Sequence, residues 1–121
     1  MTAVIREGDK TSTGGRVLAT SGSYVCEDRR LARMGDPVWC KVCETVGYIA
    51  QGNPTFIDEV TPVATDGQAV RCGCPKGEHR LIASQHQLQA DMQATIDIPK
   101  DQAKKARKRA KKIAATLKGA P

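Results

Sequence analysis

Along residues 1–84 the apolar positions come in short runs of four to six, each bounded by turn-forming residues: Gly14-Gly15, Ser21-Gly22-Ser23, Gly52-Asn53-Pro54 and Asp66-Gly67. Runs this short leave no room for a helical period and predict strands instead, over 16–20, 24–26, 48–51, 55–58 and 80–84. From residue 85 the pattern changes. Leu88 and Met92 stand at helical spacing in a Gln- and Ala-rich stretch that ends before Ile98-Pro99. Pro99 suits the first turn of a new helix, and Asp101 suits its positive N-terminal end. In that helix Ala103, Ala106, Ala110, Ile113 and Leu117 form one narrow apolar stripe, with Lys and Arg on the other faces. Three alanines in five positions make the stripe weak, so the segment reads equally as a solvated tail or as a docking helix. The division is therefore a β-repeat body, 1–84, and a helical or disordered basic extension, 85–121.

The body repeats internally. Gly35-Asp36-Pro37-Val38-Trp39-Cys40 aligns with Gly67-Gln68-Ala69-Val70-Arg71-Cys72 at an offset of 32, and Leu31-Ala32-Arg33 with Val63-Ala64-Thr65 at the same offset. Gly8-Asp9-Lys10-Thr11-Ser12-Thr13 is a third, partial copy, with Thr13 where the others place cysteine. Val17-Leu18-Ala19-Thr20, Tyr48-Ile49-Ala50-Gln51 and Leu81-Ile82-Ala83-Ser84 repeat as strand pieces. One copy is split between the two ends of the body, which is how a chain closes a ring. The expected fold is all-β: three hairpin units around a pseudo-threefold axis.

Such a ring buries little. Aromatic residues are 3% of the chain, namely Tyr24, Trp39, Tyr48 and Phe56. A small domain with so thin a core calls for a metal, disulfides or a partner. The net charge of +6 belongs to the extension. Residues 99–121 hold nine Lys/Arg against one Asp, which leaves the rest of the chain slightly acidic. The N-terminal MTAVIREGDK carries charge where a signal peptide needs an apolar stretch, which argues against Sec-type export. No apolar run approaches the roughly 20 residues of a spanning helix.

Five cysteines include two tight pairs, Cys40-x-x-Cys43 and Cys72-x-Cys74, and Cys40 and Cys72 are repeat-equivalent. Thiolates converging on an axis suit a closed four-coordinate zinc site. The predicted ligands are Cys40, Cys43, Cys72 and Cys74, with His79 in reserve. Cys26 has no repeat partner and reads as a small buried hydrophobe. His86 reads as exposed, and Trp39 as a cover over the metal turn. Asp9 and Asp36 read as turn caps, and Glu27, Asp28, Asp58 and Glu59 as solvated charges. No Ser/His/Asp arrangement or phosphate-binding loop is present, so the chain does not read as an enzyme.

Gly8-Asp9-Lys10-Thr11-Ser12-Thr13-Gly14-Gly15, Leu31-Ala32-Arg33-Met34-Gly35-Asp36 with Cys40, and Cys72-Gly73-Cys74-Pro75 carry a resemblance over about residues 4–84 to the PAAR-repeat family, the cone-shaped tips of type VI secretion spikes. Many members have histidine where this chain has Thr13, and some have histidine at the place of Cys43. The resemblance implies a cone whose base sits on a trimeric VgrG-type spike and whose apex holds zinc. It implies a protein held in the cytoplasm before firing, exported on the spike for membrane puncture, and linked to an effector or adaptor through its extension. A competing reading is a zinc-ribbon-like nucleic-acid-binding module with a basic arm. It leaves the repeat unexplained and lacks the aromatics that stack on bases.

Overall fold

The computed structural model describes residues 2–20, 22–72 and 79–119. Among them, three glycine turns organise the chain. Gly8, Gly35 and Gly67 take φ of 86°, 97° and 84°, a left-handed conformation that a side chain resists. In each turn the following residue folds back. Asp9, Asp36 and Gln68 accept the backbone N–H of Arg6, Arg33 and Thr65, each at 2.8 Å. The aspartates are the caps expected from sequence, and glutamine reproduces the bond in the third copy.

These turns separate the strands β1 (Thr2–Ala3), β2 (Arg16–Val17), β3 (Val25–Cys26), β4 (Arg29–Arg30), β5 (Pro37–Cys40), β6 (Thr45–Ile49), β7 (Gln51–Asp58), β8 (Thr61–Val63), β9 (Val70–Arg71), β10 (Gln89–Ala90) and β11 (Ile96–Asp97), which precede the helix α1 (Lys100–Gly119). The body is all-β with a helical C-terminal segment.

The axis is defined by a closed triangle of backbone bonds. Ile5 N–H donates to Ala64 at 2.9 Å, Ala64 to Ala32 at 2.9 Å, and Ala32 to Ile5 at 2.8 Å. Side chains stack around it in threes. Val4, Leu31 and Val63 form one buried layer with Cys26. Ile5, Ala32 and Ala64 pack with Val17, Ile49 and Leu81, and with Val38 and Val70. The two Val positions have Thr11 as their equivalent. Its buried hydroxyl accepts the Gly15 N–H at 2.9 Å.

Upward, β2, β5, β6 and β9 form an antiparallel sheet. Residues 37–40, outside the strands predicted from sequence, are the strand β5. Val38 and Cys40 point inward and Trp39 outward, an alternation too short to be recognised beside Pro37. Downward, β3 and β4 form one hairpin, and β7 and β8 another. Their turn residues Glu27-Asp28 and Glu59-Val60 all have positive φ, as a two-residue type I′ turn requires. β6 and β7 run on from one another past Ala50. The Glu59-Val60 turn therefore marks the end of the body opposite the turn after Cys40.

The lower hairpins extend the repeat. Val25 pairs with Arg30 and Cys26 with Arg29; Ile57 pairs with Pro62 and Asp58 with Thr61. The third copy is assembled from both ends of the chain, with Gln89 opposite Ala3 and Ala90 opposite Thr2. Cys26, Asp58 and Ala90 are thus equivalent, and all three are buried. The change of composition at residue 85 falls inside the third unit. Leu88 and Met92, whose spacing predicts a helix, flank strand β10 instead, because β1 offers an edge that needs pairing.

Asp58 departs from its expected solvated place and is fully buried. Its carboxylate accepts Ser23 N–H at 2.8 Å and Ser23 Oγ–H at 2.7 Å. Burial by itself would raise its pKa. The bonds from Ser23 and Tyr24 and the charge of Arg33 outweigh this and hold it below the ordinary 3.8. A depressed folded pKa stabilises the protein above the ordinary value, and that stability is lost as pH falls through the folded one. Asp58→Asn is expected to cost about 1–3 kcal/mol at neutral pH. In urea titrations the gap from wild type should narrow below pH 3.8.

After Met92 the chain adds β11 beside β7, and α1 then crosses one flank. The Ala103 N–H donates to Pro99 at 2.8 Å, so Pro99 stands where the helix begins. Ala106 and Ala110 are buried, and Ala106 packs with Tyr48 and Ala50. Arg109 lies 3.8 Å from Asp36. The weak stripe docks because its alanines let the helix come close to the Gly35 turn. A Cβ on that glycine would lie 3.9 Å from the Ala106 Cβ.

Candidate metal centre

Repeat equivalence places Thr13, Cys40 and Cys72 at the top of the three units. Cys40 ends β5, opposite Thr45 at the start of β6, and is fully buried; Cys72 follows β9 and is half-buried. The third donor comes from the returning strand. Counting back two residues from Val17, Ile49 and Leu81 gives Gly15, Gly47 and His79. Two units place glycine there and the third places an imidazole.

The glycines have a steric reason. A Cβ on Gly15 would stand 1.8 Å from the Trp39 carbonyl oxygen. One on Gly47 would stand 2.2 Å from that of Arg71 and 2.8 Å from the Cys72 Cβ. Glycine therefore lets neighbouring units close around the apex and brings Cys72 in toward the axis.

The ligand atoms of Cys40, Cys72 and His79 all lie within 4.8 Å of one another. Cys72 Sγ is 3.2 Å from His79 Nδ1. His79 is 1% exposed, and burial pushes its imidazole below the ordinary 6.5. The neutral form, which a metal takes, is thereby favoured. Among the described residues its Nε2 is buried without a hydrogen-bond partner. A buried nitrogen left unpaired is unfavourable as packing alone. The donor set of Cys40, Cys72 and His79 fits a metal ion.

Cys43 lies three residues after Cys40 in the connection to β6 and is half-buried, near enough to join them. Cys74, also predicted as a ligand, lies outside the described residues. His79, only a reserve ligand on sequence grounds, is in the cluster. The signal was the glycine at its two repeat equivalents, visible only once the strand copies are aligned residue by residue. Thr13 is half-buried, with its hydroxyl 3.5 Å from that of Thr11. Cys26 sits in the lower core with its thiol toward Gln85, and His86 is exposed. Trp39 faces outward from β5 into a groove and does not cover the metal turn.

The PAAR motif matches residues 7–76, which is more than half of the chain and contains all three glycine turns. The chain belongs to the PAAR-motif family. Neither a curated protein nor a solved structure matches it. PAAR motifs occur in type VI spike-tip proteins, a structural family. No described helix is long and apolar enough to cross a membrane.

Proposed function

We propose that this PAAR protein caps the blunt end of a trimeric VgrG-type spike and is carried out of the cell on it. The closed triangle at Ile5, Ala32 and Ala64 supports the reading most directly, because a threefold body matches a threefold partner. The contact surface is the end away from the cysteine cluster. There the lower hairpins and the third copy present apolar side chains at repeat-equivalent places: Val25 and Ile57, and Val60 and Met92. Val60 is 95% exposed, and a β-branched residue held in a left-handed turn at a surface tip is uncommon. Apolar side chains grouped at one end fit a partner surface. Seated on the spike, they would cover strand edges that otherwise invite pairing.

At the other end the cluster would hold structural zinc, bound by Cys40, Cys72 and His79 with Cys43 completing four-coordination. Such an ion would fasten three units whose apolar contacts are few and stiffen the tip for membrane puncture. The outward Lys and Arg of α1 would serve an effector or adaptor.

Mixed with its spike trimer, the protein is expected to form a complex of one cap to three spike chains, read by light scattering after size exclusion. Val25→Asp with Val60→Asp should abolish the complex without moving the melting temperature, since both side chains are solvent-exposed. A double variant that still binds would place the interface elsewhere.

A further inference from the structure

Pseudo-symmetry exposes a second groove. α1 occupies the flank formed by Gly35, Tyr48 and Ala50. The equivalent positions in the first unit are Gly8, Arg16 and Leu18. With Lys10, Gly15 and Trp39 they line an open groove of about 730 Å³. It has the same architecture as the helix-binding flank: a left-handed glycine turn beside the outer face of an antiparallel pair. Arg16 stands directly opposite Trp39 in that pair. No segment of the described chain covers it.

The groove differs from its counterpart at the turn aspartate. On the occupied flank Asp36 faces Arg109 of the basic helix. Its equivalent, Asp9, is already paired with Arg29 at 2.9 Å. Arg29 Nη1 also lies 3.2 Å from where a Gly8 Cβ would stand, and the Lys41 stem lies 3.1 Å from that of Gly14. Lys10 and Arg16 line the groove, and neither has a carboxylate partner among the described residues. Lys10 and Arg16, with Lys41 beside Gly14, around a floor of Leu18, Trp39 and glycine backbone disfavour a second basic helix and complement an anionic one.

We infer that this groove docks an acidic helical segment of a partner protein, small apolar residues facing Trp39 and carboxylates meeting Lys10 and Arg16. The site lies on the flank and does not depend on the spike reading. It is distinct from both the cysteine cluster and the lower hairpins.

Trp39 is the one tryptophan of the chain, so its emission reports on this groove alone. The probe is a synthetic peptide with the α1 sequence in which every Lys and Arg is replaced by Glu. Titrated into the full-length protein, it is expected to shift Trp39 emission to the blue and saturate, whereas the unaltered basic α1 peptide should have no effect. Lys10→Glu with Arg16→Glu should weaken the response by about tenfold. The milder Lys10→Gln with Arg16→Gln should weaken it less, which guards against a misfolded charge reversal. Lys104→Glu with Lys108→Glu, on the exposed face of α1, should leave the response intact. No shift with the acidic peptide overturns the inference. So does a shift indifferent to Lys10 and Arg16, or one lost with Lys104 and Lys108, which would mean that the peptide binds α1.

Discussion

A protein ending at Ser84 is expected not to fold cooperatively, whereas one ending at residue 98 should. The shorter chain retains every glycine turn and the whole cysteine cluster, so composition alone would call it complete. It lacks the lower part of the third unit. Gln85 is buried and donates to the Val4 carbonyl at 3.1 Å and the Leu88 carbonyl at 2.9 Å, while its carbonyl oxygen accepts the Leu88 N–H at 2.8 Å. The Val4 N–H donates to Leu88 at 3.2 Å, and β1 pairs only with β10 among the described strands. Truncation strands those groups and uncovers Val4, Leu31 and Val63. Each lost bond is worth about 1 kcal/mol and each orphaned buried group about 1–3. Their sum rivals the roughly 5–15 kcal/mol by which a domain is stable. Ending at residue 98 removes only α1, baring Tyr48 and Ala50 at a lesser cost. Urea unfolding of the three lengths is the measurement. A cooperative transition from the shortest, at the midpoint of the full chain, would contradict the split third unit.

Removing the metal ligands should have an effect of similar size. The purified protein is expected to carry one zinc per chain by elemental analysis. Cys40→Ala and His79→Ala should each release it and lower the melting temperature by more than about 10 °C, since about 1 kcal/mol moves a domain of this size by some 4–8 °C. Chelation should do the same to wild type, and so should acid, because the thiols must lose protons to bind. Cys43→Ala should weaken binding if that thiol is the fourth ligand, while Cys74→Ala leaves it unchanged. The reverse pattern would move the fourth place to Cys74. A wild type free of zinc, or a His79→Ala variant that keeps it, would remove the centre from the account.

The two remaining differences between expectation and structure have one origin. Asp58 carries the label of a surface residue and Trp39 that of a core residue, yet Asp58 is buried and Trp39 lies in an open groove. Each is placed by its register in a strand, and register depends on a partner far away in sequence. Asp58 faces inward because it is opposite Thr61 and equivalent to Cys26 and Ala90. Trp39 faces outward because Val38 and Cys40 take the two inward positions of β5.

The ring is legible in the residues themselves. Gly8, Gly35 and Gly67 mark the three turns, since glycine takes their left-handed φ freely. The offset of 32 residues repeats the inward positions, and a split copy can be completed only by bringing the two ends of the chain together. The same offset makes Cys40 and Cys72 equivalent. Which third donor meets them, and where the ring is sealed, depends on contacts between distant parts of the chain. His79 joins the thiols because Gly15 and Gly47 allow the strands around it to close. Residues 85–92 become strand and lower core because β1 has an edge to pair and Val4 a face to cover. Local propensity records none of those long-range contacts; they exist only once the three units have closed on one another.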